Sequence, residues 1–329
     1  MRLSSVATLL LGVVSGCSEV GRVEKYLRWM AEYDIPGEVG MYEKWVDNDN
    51  YIAEVNARNG THQLGHNHLS GMDVVDYTRY LGYNGKKEVR LNAVRAREVG
   101  ALAASVDWVG AGAVTPVKDQ GQCGSCWSFS TTGAMEGAFF VKNGKLVSFS
   151  EQQLVDCDNF RNGGRDQGCN GGLMDNAFAW ITKNGGLCLE RDYAYVSGVS
   201  ESSGTCEPSC DVVSGSKVSR YVDVPVSDDV QMMSSLMQQP VAIAIEADQR
   251  DFQLYKSGVY TGLCGTNLDH GVLAVGYGSE NGKDYYLVKN SWGSTWGDAG
   301  YIKLGRGHTY NGGDGQCGML LSASYPLLL

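Results

Sequence analysis

The spacing of apolar and polar positions changes twice along the chain. Residues 6–14 form a short, largely apolar run behind Arg2. Residues 23–34 and 41–57 then carry apolar side chains at helical spacing, with Trp45, Ile52 and Val55 on one side, which predicts two helices. Residues 126–141 read as a helix rich in apolar and small residues, stopped by Asn143-Gly144. Ser150 and Gln153 form a capping box for a short helix that runs to Asp156, and a further helix over residues 173–183 stops at Asn184-Gly185-Gly186. Beyond residue 215 the period shortens, and residues 241–245, 272–277, 285–288 and 301–304 read as strands. Helices first and strands later predict an α+β body in two halves.

The run at residues 6–14 is too short to span a bilayer. Followed by Ser15, Gly16, Cys17 and Ser18, it predicts a cleavable signal peptide over residues 1–18. A buried strand is the alternative reading, and Val14-Ser15-Gly16-Cys17 also resembles a bacterial lipoprotein cleavage site. A length of 329 residues exceeds one typical domain, so a processed precursor or a two-part body is expected. The 44 glycines point to many turns and argue against a plain helical bundle. A net charge of −10 repels nucleic acid and anionic lipid, so neither is expected as a partner. Nine of the ten cysteines lie beyond residue 100, more than a reducing cytosol usually tolerates without a metal, which predicts an oxidising compartment. Residues 1–101 are nearly neutral at −1 whereas residues 102–329 carry −9, which places a boundary near residue 101. Asn59-Gly60-Thr61 is the one N-glycosylation sequon. There is no internal repeat.

Candidate chemistry concentrates in Gln120-Gly121-Gln122-Cys123-Gly124-Ser125-Cys126-Trp127. Cys126 opens a predicted helix, and a helix N-terminus with a neighbouring imidazolium makes a thiol a useful nucleophile by stabilising its thiolate. The alternatives are a structural disulfide cysteine, a redox pair, or half of a zinc site. Redox pairs sit in a βαβ context, and the only matching second pair for zinc is Cys206 with Cys210. A base is needed, and residues 102–329 hold two histidines. His308 lies in the Gly-rich stretch 305–315, expected to be a surface loop. His270 opens a strand whose hairpin turn is Ser279-Glu280-Asn281-Gly282-Lys283, and ladder counting across that turn sets Asn290 near Val272 and Trp292 near His270. An imidazole, an amide able to fix its tautomer and a shielding indole thus meet at the open end.

The octapeptide contains the signature of papain and the cathepsins, and with Cys169-Asn170-Gly171-Gly172 and Asn290-Ser291-Trp292-Gly293 the chain resembles the papain family, close to its cathepsin L-like branch. The resemblance covers residues 102–329 almost without a gap. It implies a papain-like fold with a helical half, a β-barrel-like half and the active site in the cleft between them, preceded by a helical propeptide. It implies Cys126 as nucleophile, His270 as base, Asn290 orienting that base, and Gln120 with the Cys126 backbone N–H as oxyanion donors. It further implies disulfides Cys123–Cys169, Cys157–Cys206 and Cys264–Cys317. Cys188 and Cys210 are left over, and an extra bridge between them is expected because an unpaired thiol is a liability outside the cytosol. The substrate cleft would involve Gly172, Asp269 and Trp292. The pocket two residues before the cleaved bond would be lined by Leu173, Met174, Ala244, Leu268 and Ser322. Ser322 offers no charge to an arginine, so an apolar residue is expected there. No metal or cofactor is required.

Residues 19–101 resemble the branch's inhibitory propeptide less tightly. Asn48, Ile52 and Asn56 fit the end of its helical motif, whereas Gly37, Met41 and Trp45 stand where Glu, Arg and Phe are expected. Gly65, Asn67 and Leu69 keep the second motif, but Gly71 replaces its acid, with Asp73 two residues on. That replacement puts pH tuning of propeptide release in doubt. The expectation is a monomeric endopeptidase precursor: signal peptide 1–18, propeptide 19–101 and mature peptidase 102–329. Its partners are protein and peptide substrates and its own propeptide, and its destination is lysosome, vacuole or exterior. A catalytically silent relative is the competing class, distinguished by loss of nucleophile, base or oxyanion donor, none of which is lost.

Overall fold

The computed structural model describes residues 17–85, 101–207 and 210–329. The signal peptide expected at residues 1–18 lies outside the described residues except for the backbone of Cys17 and Ser18, and so does the basic stretch 86–100 before the expected maturation site.

Helices α1 (Cys17–Glu32) and α2 (Met41–Asn56) meet through the buried aromatics Tyr26, Trp29 and Trp45. The motif residues of α2 act as clamps. Asn48 Nδ2 donates to the carbonyls of Ser70 (2.9 Å) and Met72 (3.0 Å), and Asn56 exchanges two 2.9 Å bonds with the Leu64 backbone. Ile52 packs with Val55, Leu64 and Leu254. These contacts deliver strand β1 (His62–Leu64) to the body. A Cβ added at Gly71 would lie 2.8 Å from Met41 and 2.9 Å from Trp29. Met41 and Gly71, two of the three departures from charged residues, are therefore a single apolar contact.

Strand β2 (Val106–Asp107) leads to the helical half, made of α3 (Cys126–Asn143), α4 (Glu151–Cys157) and α5 (Met174–Asn184). Small residues let α3 run buried through the middle: Gly133 rides against Leu273 and Gly137 against Pro240. Gly144 ends α3 in the left-handed region, and Ser150 caps α4 by accepting the Gln153 N–H at 3.0 Å. Trp127, Met135, Phe139, Phe149, Phe178 and Ile181 form the core of this half.

The other half is built from β3 (Val218–Asp223), α6 (Asp229–Leu236), β4 (Val241–Ile245), β5 (Tyr255–Tyr260), β6 (His270–Glu280), β7 (Lys283–Lys289), β8 (Tyr301–Gly305) and β9 (Ala323–Leu328). The strand order is β1-β5-β8-β7-β6-β4-β9-β3, with β2 on β6. The sheet stays open, which refines the barrel-like half expected from the resemblance. Leu273 faces Lys289 and Ala274 faces Val288, the register counted from sequence, until a bulge between Ala274 and Gly276 shifts it by one. Strands β3, β5 and β9 and helix α6 escape the sequence pattern: β5 contains Lys256 and Gly258, and β9 contains Pro326, all of which demote a strand. Among the described residues no helix is long and apolar enough to cross a membrane.

Candidate active site

The site forms where the first turn of α3 meets the first residues of β6. The loop before α3 is pinned by the Cys123–Cys169 disulfide and by Gly124 N–H on the Cys169 carbonyl (3.0 Å). It is tied to the opposite half by Gln120 N–H on the Ser291 carbonyl (2.8 Å). Cys126, the first residue of α3 and a free cysteine, is buried, and its Sγ accepts the Gly271 N–H at 3.2 Å.

His270 is fully buried, with Nε2 2.8 Å from Asn290 Oδ1. The Ser291 N–H also points at that oxygen from 2.8 Å. A backbone N–H can only donate, so the atom it faces is an acceptor, and the His270 nitrogen facing the same atom must carry its proton. Nδ1, without a partner among the described residues, is left with its lone pair. Trp292 stacks on the imidazole at 4.6 Å between centroids and shields the His270–Asn290 bond. Gln120 is oriented in the same way: Ser291 Oγ donates to its Oε1 at 2.6 Å, which turns Nε2 toward the cleft.

A strap from the N-terminal segment fills that cleft. Gln120 Nε2 donates to the Tyr80 carbonyl at 2.8 Å. Gly172 N–H donates to the Gly82 carbonyl (3.0 Å) and Asn84 N–H to the Gly172 carbonyl (3.3 Å), a parallel pairing centred on Tyr83. A Cβ at Gly82 would lie 1.9 Å from the Gly124 carbonyl oxygen, so only glycine allows this approach. Tyr83 N–H bonds the Asp269 carbonyl at 2.9 Å, and Tyr83 OH is 2.7 Å from Ser322 Oγ. Its ring joins the apolar cluster that contains Met174, Ala244 and Leu268. Leu173, half-buried, sits just before α5 beside Gly172. Of the sequence-predicted pocket residues, Ser322 meets this phenol, and Met174, Ala244 and Leu268 share its apolar cluster.

Burial dominates the electrostatics under the strap. It pushes the Cys126 thiol up to about 12 despite N–H groups from Gly271, Gly82 and Trp127, and pulls His270 down to about 4 against its bond to Asn290. Burial thus favours the neutral form of each. Burial also raises Asp269 to about 7, opposed by the Ala247 N–H on its carboxylate. His308 is exposed and far down the chain in its loop.

Eight cysteines pair as Cys123–Cys169, Cys157–Cys206, Cys188–Cys210 and Cys264–Cys317. Sequence reasoning missed the strap, which has no periodic pattern, and the role of Ser291, which lay inside a quoted motif.

A fold of this kind around a cysteine, a histidine and an asparagine defines a thiol hydrolase. Residues 102–327 match the model of the papain family cysteine proteases, and the chain belongs to that family. It is 45% identical to "Probable cysteine protease RD21B" of Arabidopsis thaliana over 94% of this chain and 67% of the relative. It is 41% identical to the KDEL-tailed cysteine endopeptidase CEP2 of the same plant, over 95% of this chain and 88% of the relative. The proform of the ragweed pollen allergen Amb a 11 superposes with a TM-score of 0.84 at 36% identity, covering 94% of each chain. Procathepsin L 3 from the larval midgut of Tenebrio molitor superposes at 0.80, also at 36% identity, covering 93% of this chain and 98% of that one. The structure is accordingly that of a cysteine protease in its precursor form.

Beneath the Gly172 strip lies a buried carboxyl pair. Asp166 Oδ1 accepts the Leu173 N–H (3.1 Å) and Asn176 Nδ2 (2.9 Å), and the Asp158 carboxylate lies close enough for its charge to act on Asp166. Two buried acids this close resist carrying both charges, which favours one proton held between them. Burial, and then the charge of Asp158, hold the Asp166 carboxyl above its ordinary range. The unfolded chain releases that proton near pH ~4, so the pair's stabilisation is complete below that pH and is lost as pH rises through the raised folded value. Asp166→Asn should keep the contacts without the proton. Urea melts of the precursor from pH 4 to 9 should show a loss of stability flatter than wild type by up to about 1.4 kcal/mol per pH unit, the value for one proton. Parallel curves would mean that no proton is shared.

Proposed function

We propose that the chain is the precursor of an endopeptidase that hydrolyses peptide bonds through a thioester on Cys126. The observation that carries this reading is the Tyr80 carbonyl: a peptide oxygen lies 2.8 Å from Gln120 Nε2. There, Gln120 Nε2 and the Cys126 backbone N–H would hold the negative charge that develops on a carbonyl under attack. The Cys126 proton passes to His270 Nδ1 and Sγ bonds the carbonyl carbon. The C–N bond then breaks as His270 returns the proton to the leaving amine. Water, deprotonated by the same imidazole, attacks the thioester and releases the acid and the thiol. Asn290 keeps the imidazole in the tautomer this sequence needs. The strap passes through the cleft with chain on both sides of Cys126, which supports cleavage within a chain rather than at its end.

Residues 19–101 act in this reading as the inhibitor, and the mature enzyme of residues 102–329 begins near Leu102. Latency has two causes, a blocked cleft and a thiol kept protonated by burial. The precursor enters the secretory pathway through residues 1–18, is stapled by its four disulfides, and goes to a lysosome-type compartment or the exterior.

Cys126→Ala should abolish cleavage of a fluorogenic peptide, with kcat down by about 10⁴-fold or more, and His270→Ala should be nearly as damaging. His308→Ala should stay within about twofold. A reversed histidine ranking would refute the assignment.

The contact of Tyr83 OH with Ser322 Oγ, where the side chain at 322 offers a hydroxyl rather than an acid, favours Leu, Val, Phe or Tyr over Arg two residues before the cleaved bond. A peptide library should show each of these above Arg in kcat/KM by about tenfold or more. A preference for Arg would overturn the pocket assignment.

Acid should drive release even with Gly71 in place of the acid. Burial lowers His66 against its 3.0 Å contact with Asp49, and lowers His68, whose Nδ1 meets Thr295 Oγ1 of the body at 3.1 Å with Asp119 nearby. The bound segment therefore refuses protons that the released one accepts below about pH 6.5, and binding weakens on acidification. Self-processing of the double variant His66→Gln/His68→Gln should need lower pH than wild type and run several-fold slower at mildly acidic pH. The new N-terminus, read by sequencing, should fall between Val99 and Ser105. An unchanged pH profile would rule out the histidines as the proton sites.

A further inference from the structure

The oxyanion donors sit at the two ends of one short loop: Gln120 before it, and the Cys126 backbone N–H after it. Their separation decides whether both can reach the same oxygen. One phenol spans the loop. Tyr195 OH lies 2.8 Å from the Gln120 carbonyl oxygen and 2.7 Å from Ser125 Oγ. The carbonyl can only accept, so the single phenolic hydrogen goes to Gln120, and Ser125 must donate its own hydrogen to the phenol oxygen. The chain of donors runs from Ser125 through Tyr195 to Gln120.

Tyr195 is itself held firmly. Its ring stands edge-on to Phe129 of α3 at 4.9 Å between centroids, and its N–H donates to Glu190 Oε1 at 2.9 Å. The next two N–H groups, of Val196 and Ser197, both donate to Gln152 Oε1 of α4, at 2.8 and 3.0 Å. Gly198 then lies against Gly121 so closely that a Cβ on Gly121 would come within 2.4 Å of the Gly198 carbonyl oxygen. Segment 195–198 is thus a brace anchored on α4 and pressed on the outer side of the loop. Ser291 holds the N–H and side-chain oxygen of Gln120 from the other half.

We infer that Tyr195 is a positioning residue for the oxyanion hole, its hydroxyl setting the distance between the Gln120 amide and the Cys126 N–H. The inference rests on the reading of Gln120 as an oxyanion donor, and it assigns Tyr195 no contact with the reacting atoms. The gain is realised in the transition state, where the carbonyl oxygen carries charge, and not in the ground-state complex.

The test uses the activated enzyme and two probes of Cys126. A peptide aldehyde forms a tetrahedral adduct whose oxygen needs the hole, whereas iodoacetamide alkylates the thiolate without it. Tyr195→Phe keeps the ring and removes the hydroxyl. The expected result is kcat lower on the order of tenfold with KM unchanged, aldehyde affinity lower by the same factor, and an unaltered alkylation rate. Gln120→Ala, measured alongside, should weaken the aldehyde at least as much. If Gln120→Ala weakens it and Tyr195→Phe does not, the brace is refuted while the oxyanion reading stands. If alkylation and kcat fall together in Tyr195→Phe, the residue serves the general fold and the inference is overturned. If Gln120→Ala leaves the aldehyde unaffected, the oxyanion reading fails and the inference with it.

Discussion

The site depends on one junction, the pressing of the first turn of α3 onto the first residues of β6. The sulfur comes from one half of the molecule and the imidazole from the other, so neither half holds a working pair alone. The junction is made by short polar contacts: Gly271 N–H on Cys126 Sγ, and Ser291 on both the backbone and the side chain of Gln120. Directional bonds of this kind fix geometry where apolar packing alone would tolerate sliding. The small residues of α3 let the helix lie close enough for these bonds to form.

The strap exploits the same junction. It engages the Gln120 amide, the Gly172 strip and the apolar cluster around Tyr83 at once, using mostly backbone groups. Covering the pair also changes its charge state, because a thiolate and an imidazolium each lose hydration that the covered cleft does not replace. One segment thus both covers the cleft and favours the uncharged forms of the pair. The apolar contact of Met41, Trp29 and Gly71 keeps that segment's scaffold folded without the charged residues expected at two of those positions.

Much of this was legible in the sequence. The β6–β7 register followed from the turn at residues 279–283, because a ladder propagates one local choice over many residues, and it brought Asn290 and Trp292 to His270. Helix stops at Gly144 and Gly185 were readable because few residues accept the left-handed backbone that ends a helix. The strap was not readable, since Tyr80-Leu81-Gly82-Tyr83-Asn84 has no period and is held by bonds that any backbone can make. Tyr195 was equally silent: its value lies in two oxygens brought together from residues 70 and 75 positions away. The barrel-like expectation for the second half met an open sheet whose outer strand, β1, comes from the N-terminal segment.

That outer strand has a consequence for the proposed mature enzyme. While β1 is in place, β5 is an interior strand with hydrogen bonds on both sides. Loss of the segment turns β5 into a free margin, an invitation to pair with any extended chain that drifts by. The margin is poorly suited to such company. Lys256 projects an exposed charge from it, and Gly258, at φ +83°, breaks its flatness. A protease surrounded by the peptides it has just made thus carries, on its newly bared flank, a strand shaped to refuse them.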